Sequence, residues 1–242
     1  MKTENQRIFK IDICLPDGNE LELYARAREL GYTTLVFLYN FKSRGEILKK
    51  KQQLENLESV YVGTYLEVNS PRDLRNLDKL YLDSDLICAI AQKEELVRQC
   101  VENQRIDFVF EITTGVGKEH THYRNSNMTS IISGIMKRNN CSYALSFSHI
   151  LNVEGQMRAK LLGRMMQNVR LLRRKVPIII ASFARYETEM RLPENLAAIS
   201  RVLGLNSPQS KSAIGYNTYQ LIQNKIKRRD KNFIRPGVKV VD

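Results

Sequence analysis

The chain has 242 residues, enough for one α/β domain whose core needs neither disulfides nor a structural metal. Its 43% hydrophobic and 26% charged residues, with 12 Gly and 6 Pro, exclude a fibrous or low-complexity protein. A formal net charge of +12 favours polyanionic partners, nucleic acid or an anionic membrane surface.

Apolar runs of strand length recur in chain order at 8–14, 33–39, 60–68, 85–91, 106–112, 142–148 and 176–182. They are rich in Val, Ile, Phe and Tyr, as strands buried on both faces are. Helical periodicity fills several intervals: "ELELYARAREL" (20–30), ending at Gly31 in a C′ position, then 92–103, 127–140 and a long stretch through 158–175. Strands alternating with helices imply parallel strands joined by crossovers. Seven of them favour a single closed or nearly closed (β/α) barrel over 1–242, with a C-terminal helix and a basic tail from about 225. "VKVV" (238–241) is a weak candidate for an eighth strand. A nucleotide-binding open sheet loses its support, since no G-x-G-x-x-G follows the first strand and no phosphate loop occurs.

The four cysteines, Cys14, Cys88, Cys100 and Cys141, are far apart and form no C-x-x-C pair, which fits reduced thiols in a cytoplasmic protein. No stretch reaches the length of a membrane span, and the N-terminus lacks a signal-peptide core.

The stretch 155–186 holds eight basic residues and no acidic one. On a wheel of 100° per residue, Met157, Leu161, Leu162, Met165, Met166, Val169 and Leu172 share one half-circle, the face expected against the barrel. Lys160, Arg164, Arg170 and Arg174 fall opposite, with Arg173 and Lys175 at the edges. An ordinary outer face mixes Glu and Lys in i,i+4 pairs. This one has no acid to offer, so its cations repel one another until a polyanion neutralises them. Arg158 falls within the apolar arc in the first turns. Two placements stay open for it: reaching over the barrel mouth, or its stem passing along the core.

Catalytic chemistry is sparse. His120 and His122 form H-x-H in the loop after the fifth strand, and His149 follows the sixth, but the other strand ends supply no further ligand. The expectation is a polar loop with Lys118 and Arg124 flanking the histidines, and no metal. Asp12 and Glu111 are strand-end carboxylates, either an acid/base pair or structural. No nucleophile motif accompanies them. "KSRGEILKKK" (42–51) and "KIKRRDK" (225–231), with Lys227, Arg228 and Arg229, add two basic clusters.

"MRAKLLGRMMQNVRLLRRKVPIIIASFA" followed by "MRLPENLAAISRVLGL" resembles archaeal ribonuclease P protein component 3, related to the thirty-kilodalton subunit of the eukaryotic enzyme. Arg158 and the basic helix, Ser182 and Ala184, Arg191 and Pro193, and Leu203 to Leu205 carry the likeness over about 50 residues. It implies a single irregular TIM-type (β/α) barrel akin to PHP phosphoesterases without their metal site: where those carry His-x-His on the first strand, this chain has Asp12 and Cys14. A Glu-Ile expected near the end of the sixth strand is replaced by "YALSFS". The resemblance further implies an RNA-binding subunit of the endoribonuclease that removes 5′ leaders from precursor tRNA. Catalysis would lie in ribonuclease P RNA with its bound Mg²⁺, no catalytic residue or cofactor in this chain, and component 2 as a protein partner. RNA contacts would come from Arg158, Lys160, Arg164, Arg170, Arg173, Arg174, Lys175, Arg185, Lys118, Arg124, Lys227, Arg228 and Arg229. The competing expectations are a metal-dependent PHP-type phosphoesterase dependent on His120 or His122, and a small-molecule barrel enzyme with a deep mouth pocket.

Overall fold

The computed structural model describes residues 9–75, 77–113, 125–229, 233–235 and 238–239. Seven parallel strands run in sequence order around one sheet: β1 (Ile11–Cys14), β2 (Thr34–Tyr39), β3 (Val60–Val68), β4 (Ile87–Ala91), β5 (Phe108–Phe110), β6 (Ser142–Ser146) and β7 (Ile178–Ala181). The helices between them are α1 (Glu20–Glu29), α2 (Arg44–Gln53), α3 (Leu77–Tyr81), α4 (Glu94–Glu102), α5 (Ser130–Asn139), α6 (Phe147–Leu151) and α7 (Gly155–Leu172). After β7 come α8 (Pro193–Val202), α9 (Ser207–Lys211), one π-turn (Ser212–Tyr216) and α10 (Asn217–Arg229). Gly31 ends α1 at φ 80°, as its C′ position requires.

The sheet closes on itself just past β7. The Phe183 amide donates to the Ile13 carbonyl (2.7 Å) and the Leu15 amide to the Ala184 carbonyl (2.8 Å), and Cys14 forms a parallel bridge with Ala184. Alternation along each strand divides the apolar residues into two clusters. Ile11, Ile13, Val36, Leu38, Phe108 and Phe110 fill the barrel interior, whereas Leu35, Phe37, Val109 and Tyr143 face the helices. Phe110 stacks on Phe183 at 4.6 Å between ring centroids, so aromatic rings floor the mouth.

The opposite end is plugged by α10. Leu221 and Ile222 join the interior cluster, Tyr219 stacks on Phe9 at 4.0 Å, and the Asn217 amide donates to the Ile178 carbonyl (2.7 Å). The segment from 225 is therefore not a free tail up to Arg229. It is the last turn of a helix that seals the barrel. The eighth-strand candidate is also corrected: Val238–Lys239 pairs antiparallel with Phe233–Arg235 in a separate two-stranded sheet. Two strands alone cannot extend a parallel barrel from outside it.

Candidate nucleic-acid interface

The 18-residue α7 is the longest described helix, and its buried residues are Leu161, Arg164, Met165, Asn168, Val169 and Leu172. On the wheel that arc is turned by about 40° from the one hydrophobicity selects. Met157 and Met166 are exposed at 62% and 47%, while Arg164 is 9% exposed. The cause is polar. The Arg164 guanidinium donates to the Thr113 carbonyl beyond β5 (3.4 Å). The Asn168 amide donates to the Ser126 carbonyl and the Tyr143 hydroxyl, each at 3.4 Å. Carbonyls in the segments after β5 reward polar side chains, and α7 rotates to offer them. Arg164 thus leaves the outer face.

Arg158 is half-buried, its guanidinium donating to the carbonyls of Val153 and Leu151, the latter at 3.2 Å. It caps the end of α6 and keeps little freedom to reach across the mouth. Arg173 donates to the Gly204 carbonyl (2.7 Å). Arg228 donates to the Tyr81 hydroxyl (3.1 Å), and Arg229 binds Asp85 (2.9 Å) and the Ser84 carbonyl. These side chains act first as ties within the fold.

What remains outward is Lys160, Arg170 and Arg174, all exposed and pairing with none of the described residues. Lys175 is exposed beside them, with a single hydrogen bond to the Ser133 hydroxyl (3.0 Å). Lys227 is exposed on α10, well away in sequence. Arg185 is exposed at the mouth, and its charge acts on the nearby Tyr65 hydroxyl. Its backbone is pinned on both sides, the amide to Glu189 (2.7 Å) and the carbonyl to Asn19 (2.9 Å). Lys118 and Arg124, like His120 and His122, lie outside the described residues. The cluster at 42–51 is largely spent on pairs: Arg44 with Asp83, Lys50 with Glu20 and Lys51 with Asp85.

The mouth offers little for catalysis among the described residues. The alternation that puts Ile11 and Ile13 inside turns Asp12 into the layer between sheet and helices, where it is fully buried. Its carboxylate accepts from the Ser182 amide (2.7 Å), the Ser182 hydroxyl (2.6 Å) and the Ile13 amide (3.0 Å). Asp12 is a clasp on the β1–β7 seam, not half of an acid/base pair with Glu111. Burial holds His149 below the ordinary imidazole range, with Glu111 opposing the shift. No three His, Cys, Asp or Glu among the described residues come together as a metal site. Two clefts of about 250 and 370 Å³ lie on the outside, both reaching Lys50 and Gln53 of α2, rather than in the mouth.

No described helix is long and apolar enough to cross a membrane. Residues 10–230 match the family described as RNase P subunit p30. The chain is 22% identical over 232 residues to ribonuclease P protein component 3 of Methanococcoides burtonii, covering 94% of this chain and 91% of that protein. It is 24% identical over 182 residues to the protein of the same name from Archaeoglobus fulgidus, covering 74% and 80%. In three dimensions it is similar to a chain of an archaeal ribonuclease P determined with mature tRNA by cryo-EM. The TM-score is 0.80, at 20% identity over 96% of this chain and 98% of that one. A Xaa-Pro dipeptidase shares the architecture more distantly, with a TM-score of 0.59 at 9% identity over 90% and 76% of the two chains.

Proposed function

The chain belongs to the RNase P subunit p30 family, and from that premise we propose that it is an RNA-contacting protein subunit of ribonuclease P, which removes the 5′ leader of precursor tRNA. One observation carries the reading: the exposed cations Lys160 and Arg170 of α7 and Arg174 and Lys175 in the turn after it stand outward with no carboxylate from that helix or turn among them. An RNA folded into a compact catalytic form brings its phosphates together, and fixed cations relieve that repulsion. Each neutralised phosphate releases counterions, so binding falls steeply with salt. Contacts are to backbone and shape, because A-form helices hide their base edges. Arg185 and Lys227 are secondary contacts in this reading. Arg158, Arg164, Arg173, Arg228 and Arg229 act mainly by holding the surface in place. Catalysis belongs to the RNA and the Mg²⁺ bound to it, the chain works in the cytoplasm, and component 2 is its protein neighbour.

The test is reconstitution. Arg170→Glu/Arg174→Glu should impair precursor-tRNA processing at limiting Mg²⁺ and recover as Mg²⁺ is raised, with an unchanged melting transition. Full activity of that variant at limiting Mg²⁺ would overturn the assignment. The phosphoesterase alternative requires bound metal in the purified chain and hydrolysis of a simple phosphate ester, lost on changing His120 or His122.

A further inference from the structure

The fold brings a second helix beside the basic face of α7, and the two leave a groove between them. Contact is made where the Lys175 ammonium donates to Ser133 of α5 (3.0 Å) and where Gln167 and Asn168 of α7 donate to Ser126, just before α5 (3.3 and 3.4 Å). The flank of α7 turned to α5 is therefore the one bearing Gln167. Lys160 lies seven residues before it in one row along the helix, and Arg174 seven residues after it, in the turn that follows the last residue of α7. On α5, Lys137 follows Ser133 by four residues and stands on the same flank, exposed and paired with no described residue. Lys137, Lys175 and Arg174 thus line one groove, though they come from stretches more than twenty residues apart in sequence, and Lys160 continues the row past the start of α5.

Two further observations bear on the occupant. From 125 to 186 the chain contains a single carboxylate, Glu154, at the N-terminal end of α7 and far from Lys175. Neither α5 nor α7 contains an aromatic residue, so neither helical wall offers a platform on which bases could stack. Cations without acids or rings suit a sugar–phosphate backbone better than unpaired bases.

We infer that the groove between α5 and α7 seats one phosphate strand of the RNA, held by Lys137 and Lys175 from its two walls with Arg174 beside them and Lys160 beyond the groove's end. This rests on the proposed RNA-binding role and adds to it a second helix and a path for the strand.

The test measures binding of transcribed ribonuclease P RNA to the purified full chain across a range of salt. Lys137→Ala/Lys175→Ala should weaken binding roughly tenfold and flatten the log–log salt slope by about 1.5, the loss of two phosphate contacts. Lys49→Ala/Lys79→Ala removes the same charge from exposed positions outside the groove and should leave the slope unchanged. Equal losses in the two pairs, or no loss in the first, would overturn the groove. If the groove pair is silent while Arg170→Glu, outside the groove, weakens binding, only the groove fails. If none of the variants affects binding, the proposed RNA face fails with it.

Discussion

The Lys225 ammonium lies 3.9 Å from the same Asp107 oxygen that accepts the Ile87 amide at 2.7 Å. It sits 3.3 Å above the Tyr81 ring, has no hydrogen-bond partner among the described residues, and Lys225 is only 2% exposed. Asp107 and Asp85 face it, and so do Arg228 and Arg229. Asp85 uses its other oxygen on the Val62 amide (2.9 Å). The aspartates that replace ladder acceptors at the barrel's lower rim are thus neutralised by the last turn of α10.

Burial pushes Lys225 down from 10.5 to about 8, against the pull of Asp107. Between those values the unfolded chain holds a proton that the folded chain has released. Stability attributable to Lys225 therefore rises from pH 8 towards 10.5, and is lost as pH falls through 8. Urea melts at pH 7, 8, 9 and 10 should show this rise in the native protein, up to about 3 kcal/mol. Lys225→Met should flatten it. Parallel curves for the two proteins would show that the ammonium is solvated.

Asp12 carries the opposite sign. Burial raises its carboxyl from 3.8 to about 6, although three hydrogen bonds to the ionised form resist the shift. The folded chain binds the proton more tightly, so the stability this group contributes is full below pH 4 and lost as pH rises through 6. In Asp12→Asn the amide oxygen can still accept both backbone N–H groups, while its nitrogen can donate to the Ser182 hydroxyl. That variant should keep the fold and lose the pH 4–6 dependence, measured by denaturant midpoints against the native chain. Asp12→Ala strands three buried donors and should cost about 3 kcal/mol or more.

Much of this architecture is legible in the sequence, because periodicity reports packing directly. The runs ending in "IDIC" and beginning "VPIII" mark β1 and β7 through their apolar patterning, and Gly31 marks the end of α1. Hydrophobicity fails where polar side chains are buried for their hydrogen bonds. On α7 it placed Arg164 outside and Met166 inside, because Thr113 and Ser126, whose carbonyls reverse the choice, lie some 40 to 50 residues away. The basic run at 225–231 reads as a tail for the same reason, since Asp85 and Asp107 become its neighbours only once the barrel closes. Lys137 drew no attention because a lysine and an arginine closing a short helix carry no signal until α7 lies beside them.

The joint between the barrel and α10 depends on one glycine. A Cβ built on Gly215, inside the π-turn, would stand 2.0 Å from the Phe9 carbonyl oxygen and 3.1 Å from the Phe9 Cβ. The chain before β1 cannot retreat without breaking the Phe9–Tyr219 stack. Gly215→Ala should destabilise the protein by about 3 kcal/mol, mainly by loosening α10, whereas Gly134→Ala, with open space at its Cβ, should not. Calorimetry of both variants, with protease susceptibility in α10, tests the claim.

Arg164 and Arg170 sit six residues apart on one basic helix and should separate cleanly in experiment. Arg164 is 9% exposed and donates to the Thr113 carbonyl. Truncating it leaves that acceptor and a void beside Asn168, so Arg164→Ala should lower stability by about 2 kcal/mol. Its effect on RNA binding should be small once the protein is folded at low temperature. Arg170 and Arg174 are exposed without partners among the described residues, so alanine at either should move the melting midpoint by less than about 0.5 kcal/mol in equivalent stability. Each should flatten the salt slope of RNA binding by about 0.8. Thermal melts and salt titrations on the same three preparations decide the matter. A stable Arg164→Ala that binds RNA poorly would return Arg164 to the outer face and contradict the rotation of α7.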